Sequence, residues 1–299
     1  MNAQGPFSCL PGAPAFYPSA TGVVLTILLL ALGLLFNPQT LSVTVSLGPT
    51  RPGDVVVLTI NDPALLAPVV RVFDRNWPVY AAGIGEWRAL VGIDLATPTG
   101  AYEIVVTSGE ARVSHPLVVH PRTFPTRRLS VDPALVNPPP EAQERIDRES
   151  REMTLIYDAS PPDRWWIAPF VRPVADAANS AFGTHSVFNG EPKSQHTGAD
   201  FLSPSGRRVK APNAGRIVVA GPRYFSGNTV VIDHGQGLFS LLAHLSEIDV
   251  AAGDLVSAGE VVGKVGATGR VTGPHLHWAV RLNGARVDPL SLLAVLGKS

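Results

Sequence analysis

From Leu41 to Leu293 the chain is written in short runs of β-branched and apolar residues that glycine and proline keep interrupting. LSVTVSL, DVVVLTI, VVRVF, AYEIVV and HPLVVH occur in the first half; RRVKAP, GRIVVAG, NTVVIDHG, LFSLLAHL, GEVVGKVG and HLHWAVRL follow in the second. Runs this short, bounded by turn formers, suit a pleated surface and exclude a helical bundle. A mostly β protein of antiparallel sheets is therefore expected. At 299 residues the chain is long enough for two cores. The runs fall into a small β-sandwich over residues 41–125 and a second all-β domain over residues 163–299, which the DPLSLLAVLG segment closes as a short helix or turn.

Residues 126–162 read differently. Asn137 to Pro140, Asn-Pro-Pro-Pro, predicts an extended linker over residues 131–140. The stretch EAQERIDRESREMTLIY from Glu141 sets opposite charges at helical spacing, as in Glu141 with Arg145 and Glu144 with Arg148. It predicts one exposed helix with a solvated charged face.

Residues 1–40 carry an address rather than a fold. The uncharged run TGVVLTILLLALGLLF at residues 21–36 predicts a signal peptide or a membrane anchor. No Lys or Arg precedes Arg51 and no clear small-x-small cleavage site follows Phe36, so both readings stand. Either takes the chain into or across a membrane. Cys9 is the one cysteine, which rules out an internal disulfide framework and a thiolate metal cluster. It precedes the apolar run and is not a lipoprotein cysteine. Lys plus Arg and Asp plus Glu balance at 24 each, so no basic face argues for nucleic acid.

Chemistry gathers in the last third. His196-Thr-Gly-Ala-Asp200 sets an imidazole and a carboxylate on one strand face. His275-Leu276-His277 sends two imidazoles to one side of a strand while Leu276 turns to the core. His244, in LLAHLS, sits on a further apolar strand. Together these supply two imidazoles and a carboxylate for zinc, with a fourth position open, and leave two histidines for acid, base or oxyanion roles. His115 and His120 read as strand-edge residues, His185 and His234 as loop residues, and Asn189-Gly190 as a turn at the cleft mouth.

The segment from about Phe170 to Leu293 resembles the lysostaphin and LytM type of peptidoglycan endopeptidases, the M23 metallopeptidases. The resemblance rests on H-x-G-x-D at His196 to Asp200, GNTVVIDHGQG from Gly227, Ala243-His-Leu-Ser246 and GATGRVTGPHLHW from Gly266, in family order. It implies that His196, Asp200 and His277 bind Zn²⁺, and that His275, aided by His244, handles the water and the developing oxyanion. Residues 163–299 would then be a zinc metallopeptidase domain acting on peptide stems and cross-links of peptidoglycan. The region before it resembles the immunoglobulin-like module of some members. Leu242 and Ala279 stand where many members have Tyr and Glu, the first removing a hydroxyl expected near the cleft.

Two other functions compete: a catalytically silent envelope adaptor that regulates other wall hydrolases, and a zinc carboxypeptidase or dipeptidase acting on D-Ala termini. The complete set of ligand and catalytic histidines favours the endopeptidase. Whether a D,D bond or an oligoglycine bridge is cut, and the oligomeric state, stay open. The placement of the first module and helix between apolar segment and catalytic domain suggests that they cover the cleft, so that deleting residues before Asp163 raises activity.

Overall fold

The structure is a computed structural model that describes residues 40–297 apart from 47, 49, 65, 131, 132 and 181. The apolar run at residues 21–36 and Cys9 lie outside the described residues. No helix among the described residues is long and apolar enough to cross a membrane.

Strands β1 (Ser42–Val45), β2 (Val55–Asn61), β3 (Val69–Val72), β4 (Arg75–Trp77), β5 (Val79–Gly83), β6 (Glu86–Gly92), β7 (Gly100–Ser108) and β8 (Ala111–Val119) form the first module. They make two four-stranded antiparallel sheets, ordered β1-β2-β6-β5 and β4-β3-β7-β8. Period-two alternation buries Leu58 and Ile60 from one sheet and Val70, Val72, Ile104 and Val106 from the other in one core. The strand after Gly100 is internal: β7 finds β3 on one flank and β8 on the other. His115 lies on the edge strand β8 and His120 just after it.

Past the module come β9 (Thr126–Leu129), α1 (Pro133–Val136) and α2 (Pro140–Asp158). The expected extended linker is interrupted by the helical turn α1, and Pro140 opens α2, where a missing N–H costs no helical bond. The second domain holds β10 (Ala178–Ser180), β11 (His185–Phe188), β12 (Glu191–Gln195), β13 (Gly198–Phe201), β14 (Arg208–Lys210), β15 (Gly215–Arg223), β16 (Gly227–Asp233), β17 (Leu238–Ile248), β18 (Leu255–Val256), β19 (Val261–Val265), β20 (Leu276–Leu282), β21 (Ala285–Val287) and α3 (Pro289–Leu296). Its ten-stranded sheet runs β10-β13-β20-β17-β16-β15-β18, with β21 on β20 and β19 joining β17 to β14. A second, three-stranded sheet places β11 between β12, antiparallel, and β9, parallel. Residues 126–129, read from sequence as linker, are thus a strand laid beside the second domain. Asn189 and Gly190 make the β11–β12 turn with φ of 51° and 87°, as their sequence predicts. His185, expected in a loop, is on β11.

The charged face of α2 is more than solvated. Glu152 forks onto Arg223 at 2.6 and 2.9 Å, and Glu149 accepts the Tyr224 N–H at 2.8 Å, both at the β15–β16 hairpin. Met153, Ile156 and Tyr157 then seal against Val219, Val231, Phe239 and Leu241 on the outer face of the sheet. The first module docks through β21 and α3. Asp94 takes Arg286 at 2.6 and 3.0 Å, and Arg122 reaches Asp288 at 2.9 Å while Asp288 caps α3 by accepting the Leu290 N–H. Gly92 admits this contact, since a Cβ there would sit 2.8 Å from Val287.

His234 lies in the turn between β16 and β17, as its sequence predicts, but its ring is a buried polar knot of the core. It is fully buried, its Nδ1–H donates to Ala214 O at 2.7 Å, and its Nε2 faces Ser240 Oγ at 2.9 Å. Ser240 Oγ also accepts the Trp278 indole N–H at 3.1 Å, so its own hydrogen goes to His234 and the chain of donors closes. Burial pushes the His234 imidazole down to about 4. Because the folded value is depressed below the unfolded one, the contribution is fully present above about pH 6.5 and is lost as pH falls toward 4, roughly 3 kcal/mol in all. Thermal unfolding between pH 7 and 4 should therefore show a loss of Tm that His234→Gln, already less stable at pH 7, flattens; an unchanged slope in the variant would remove His234 as its cause.

Candidate functional site

Asp200 and His277 are partners on one rung of the antiparallel β13–β20 ladder, and His277 is in turn opposite Ala243 on β17. Directly opposed residues project to the same face with Cβ atoms about 5 Å apart. His196 precedes β13 rather than sharing its strand. Its N–H donates to Thr184 O at 2.8 Å and its carbonyl accepts from Gly183 N at 2.7 Å, which holds the ring over Asp200. The result is a compact triangle: His196 Nε2 to Asp200 Oδ1 2.9 Å, His277 Nδ1 to Asp200 Oδ1 2.9 Å, and His196 Nε2 to His277 Nδ1 3.0 Å.

Gly198 is a steric requirement of this triangle. A Cβ on it would lie 2.4 Å from Trp278 O and 2.7 Å from His277 Cε1. That explains the glycine of His-x-Gly-x-Asp.

The other two imidazoles reach the same place from different strands. His275 stands just before β20, where its N–H donates to Gly266 O at 3.2 Å, and its Nε2 lies 3.9 Å from Asp200 Oδ1. His244 is brought in by a bulge. Leu242 pairs with Val230 and Leu245 with Asn228, so Ala243 and His244 oppose Thr229 alone, and His244 takes φ +66°. A non-glycine residue in the left-handed region costs on the order of 1–3 kcal/mol, and such strain gathers at functional sites. The His244 ring sits 4.8 Å from that of His275 and 5.9 Å from that of His277, between centroids. Because of the bulge, Leu242 points into the core, fully buried, and Leu241 lines the cleft, so a hydroxyl at 242 would not reach it. Ala279 does line the cleft.

Electrostatics separate the groups. Burial would raise the Asp200 carboxyl, but hydrogen bonds from His196 and His277 outweigh it and hold the group ionised well below the usual range. Burial, and then the neighbouring His277 and His275, push His244 down to about 3. Burial also lowers His277, opposed by Asp200. An ionised carboxylate between two imidazoles in a buried corner is a donor set for a divalent cation that favours nitrogen and oxygen. Among the described residues it is the one cluster of three His, Asp or Glu groups able to converge on an ion.

The cleft around the triangle encloses about 330 Å³. All five sequence-predicted site residues line it, whereas Asn189 does not. Sequence reasoning missed three arginines there: Arg127 from β9, Arg270, held over the rings of Phe188 and Phe225 at 4.8 and 4.3 Å, and Arg281, 5.3 Å over Tyr157. Arg270 stands inside the GATGRVTGPHLHW run and Arg281 just after it, but the pattern gives neither a role, and Arg127 is placed by pairing with a distant strand.

The family model of peptidase family M23 matches residues 194–289. A crystal structure from Pseudomonas aeruginosa assigned to peptidase M23 aligns with 81% of this chain and 94% of its own, at 35% identity and a TM-score of 0.64. The chain belongs to peptidase family M23. It is 47% identical over 97 residues to the DD-carboxypeptidase/endopeptidase Mpg of Neisseria meningitidis, covering 32% of this chain and 22% of that protein. It is 41% identical over 95 residues to the peptidoglycan DD-endopeptidase ShyA of Vibrio cholerae, covering 32% and 22%. The chain thus spans about a fifth of the length of these M23 relatives.

Gly198→Ala should push His277 out of the triangle, destabilising the fold by about 1–3 kcal/mol. It should also weaken divalent-metal binding by roughly tenfold or more, read by chelator competition. Wild-type metal affinity in this variant would show that the close fit of strand and ring is not what sets the triangle.

Proposed function

We propose that this M23 chain is a zinc metalloendopeptidase that hydrolyses peptide cross-links of bacterial peptidoglycan in the cell envelope. The observation that carries the reading is the His196–Asp200–His277 triangle, with two further imidazoles directed at it. Its edges of 2.9 to 3.0 Å are slightly shorter than the roughly 3.3 to 3.5 Å between ligands of a tetrahedral zinc, so a small opening admits the ion. Three protein ligands leave one position open, as in catalytic rather than structural zinc sites. The names of the relatives, DD-endopeptidase and DD-carboxypeptidase/endopeptidase, favour a D,D bond as the one cut.

In this reading His196, Asp200 and His277 hold Zn²⁺, which when bound polarises the scissile carbonyl and acidifies water. The remaining chemistry falls to His275 and His244. Each donates its Nδ1–H to a backbone carbonyl, His275 to Gly273 O and His244 to Thr268 O, both at 2.9 Å. That fixes the tautomer and leaves Nε2 of each as a proton acceptor facing the cleft. His275 takes the proton of the attacking water on that free Nε2 and becomes the imidazolium. The same imidazolium then protonates the leaving amine. His244, kept neutral, accepts a hydrogen bond from the water and orients it; it can donate to an oxyanion only after taking up a proton itself.

Digestion of purified peptidoglycan by the protein starting at Leu41, with muropeptides read by mass spectrometry, tests this. Zinc-dependent loss of cross-linked dimers is expected, abolished by chelator and restored by zinc. His275→Ala should lose on the order of 10²–10⁴ in rate while keeping its metal, whereas His277→Ala should lose the metal. No cleavage by folded, zinc-loaded protein would sink the enzyme reading and move the weight to a wall-hydrolase adaptor.

A further inference from the structure

The ligating carboxylate has two oxygens, and they have different partners. Oδ1 of Asp200 faces His196 and His277, while Oδ2 accepts from Arg127 Nη1 at 3.3 Å. Among the described residues no other group hydrogen-bonds Oδ2, and Asp200 is only 6% exposed. Arg127 comes from β9, far outside the segment of residues 194–289 that carries the family match.

Its placement is built, not incidental. Parallel pairing sets Arg127 beside Ser186 and Leu129 beside Phe188, and alternation turns all four side chains into the cleft. Arg127 Nε donates to Ser186 Oγ at 3.1 Å, which aims the guanidinium. Upstream, Arg122 bridges to Asp288 and lies over the rings of Phe124 and Phe182 at 5.3 and 5.8 Å, fixing the chain as it enters β9.

We propose that Arg127 is a positioning residue of the metal centre, supplied by the strand that follows the first module: it satisfies Oδ2 of Asp200 and locks the carboxylate so that Oδ1 alone faces the ion. This rests on the zinc reading above. A ligand carboxylate held by an outer donor keeps its orientation between turnovers, and loss of such a partner typically weakens metal binding about 10- to 100-fold. The guanidinium also repels a cation, but it touches the oxygen turned away from the ion, so the gain in orientation dominates. The expectation that removing everything before Asp163 raises activity is then reversed, because that cut removes Arg127.

The test is Zn²⁺ affinity by chelator competition and the visible spectrum of the Co²⁺ form, on the protein starting at Leu41, comparing wild type with Arg127→Gln, Arg127→Lys and Ser186→Ala. Wild type should bind one ion, Arg127→Gln about 10- to 100-fold more weakly with an altered Co²⁺ spectrum, and Arg127→Lys between them. Ser186→Ala should give a smaller loss of the same sign, and the metal-free thermal transitions of all four proteins should stay close together. If wild type binds no ion, the zinc reading fails and takes this one with it. If wild type binds and Arg127→Gln binds equally well, Arg127 does not position the ligand. Tighter binding by Arg127→Gln would make Arg127 a blocking group and overturn the proposal.

Discussion

A single rung of β-ladder, Asp200 opposite His277, fixes everything that matters chemically in this protein. Antiparallel pairing determines which residues face each other and on which side, so a slip of one residue would send His277 to the core and Trp278 to the cleft. The core on the other face prevents that slip. Trp278, Leu276 and Val280 alternate with the cleft residues and are all buried, and the Trp278 indole is tied through Ser240 to His234. The site thus inherits its precision from apolar packing and one buried polar chain behind it.

Sequence patterning made the rung legible because both halves are local. His275-x-His277 on a strand and His196-x-Gly-x-Asp200 each place two groups on one side within five residues. Short β-branched runs likewise announced an all-β fold of antiparallel sheets. What sequence could not announce is set by pairing between distant segments. The inner position of β7, the bulge that brings His244 to the cleft side beside Ala243, and the parallel capture of residues 126–129 by β11 all depend on a partner that composition does not name. Leu242 shows the same limit in reverse: counted along the strand it belongs near the cleft, but the bulge leaves it in the core.

Charge tells a related story. Asp200 is a buried carboxylate kept ionised by its hydrogen bonds, and His244 is kept neutral by burial and by its histidine neighbours. A buried carboxylate left with one satisfied oxygen would be costly, which is why the partner of its second oxygen matters as much as the two imidazoles on its first. The other two arginines of the cleft are treated differently. Arg270 lies over two aromatic rings and Arg281 over Tyr157, so their guanidinium planes form walls as well as charges.

These contacts change what counts as the functional unit. The matched family segment contains the three triangle residues and both remaining imidazoles, but not Arg127, Tyr157 or the module to which they are tethered. Asp94 with Arg286 and Arg122 with Asp288 fasten that module to β21 and α3, which directly follow β20, the strand that carries His277. The module docks there rather than over the cleft, so its route to the site runs through β9. A strand pinned at its entry by Arg122 on Asp288 and paired along its length to β11 is a rigid means of delivering one guanidinium to one carboxylate oxygen.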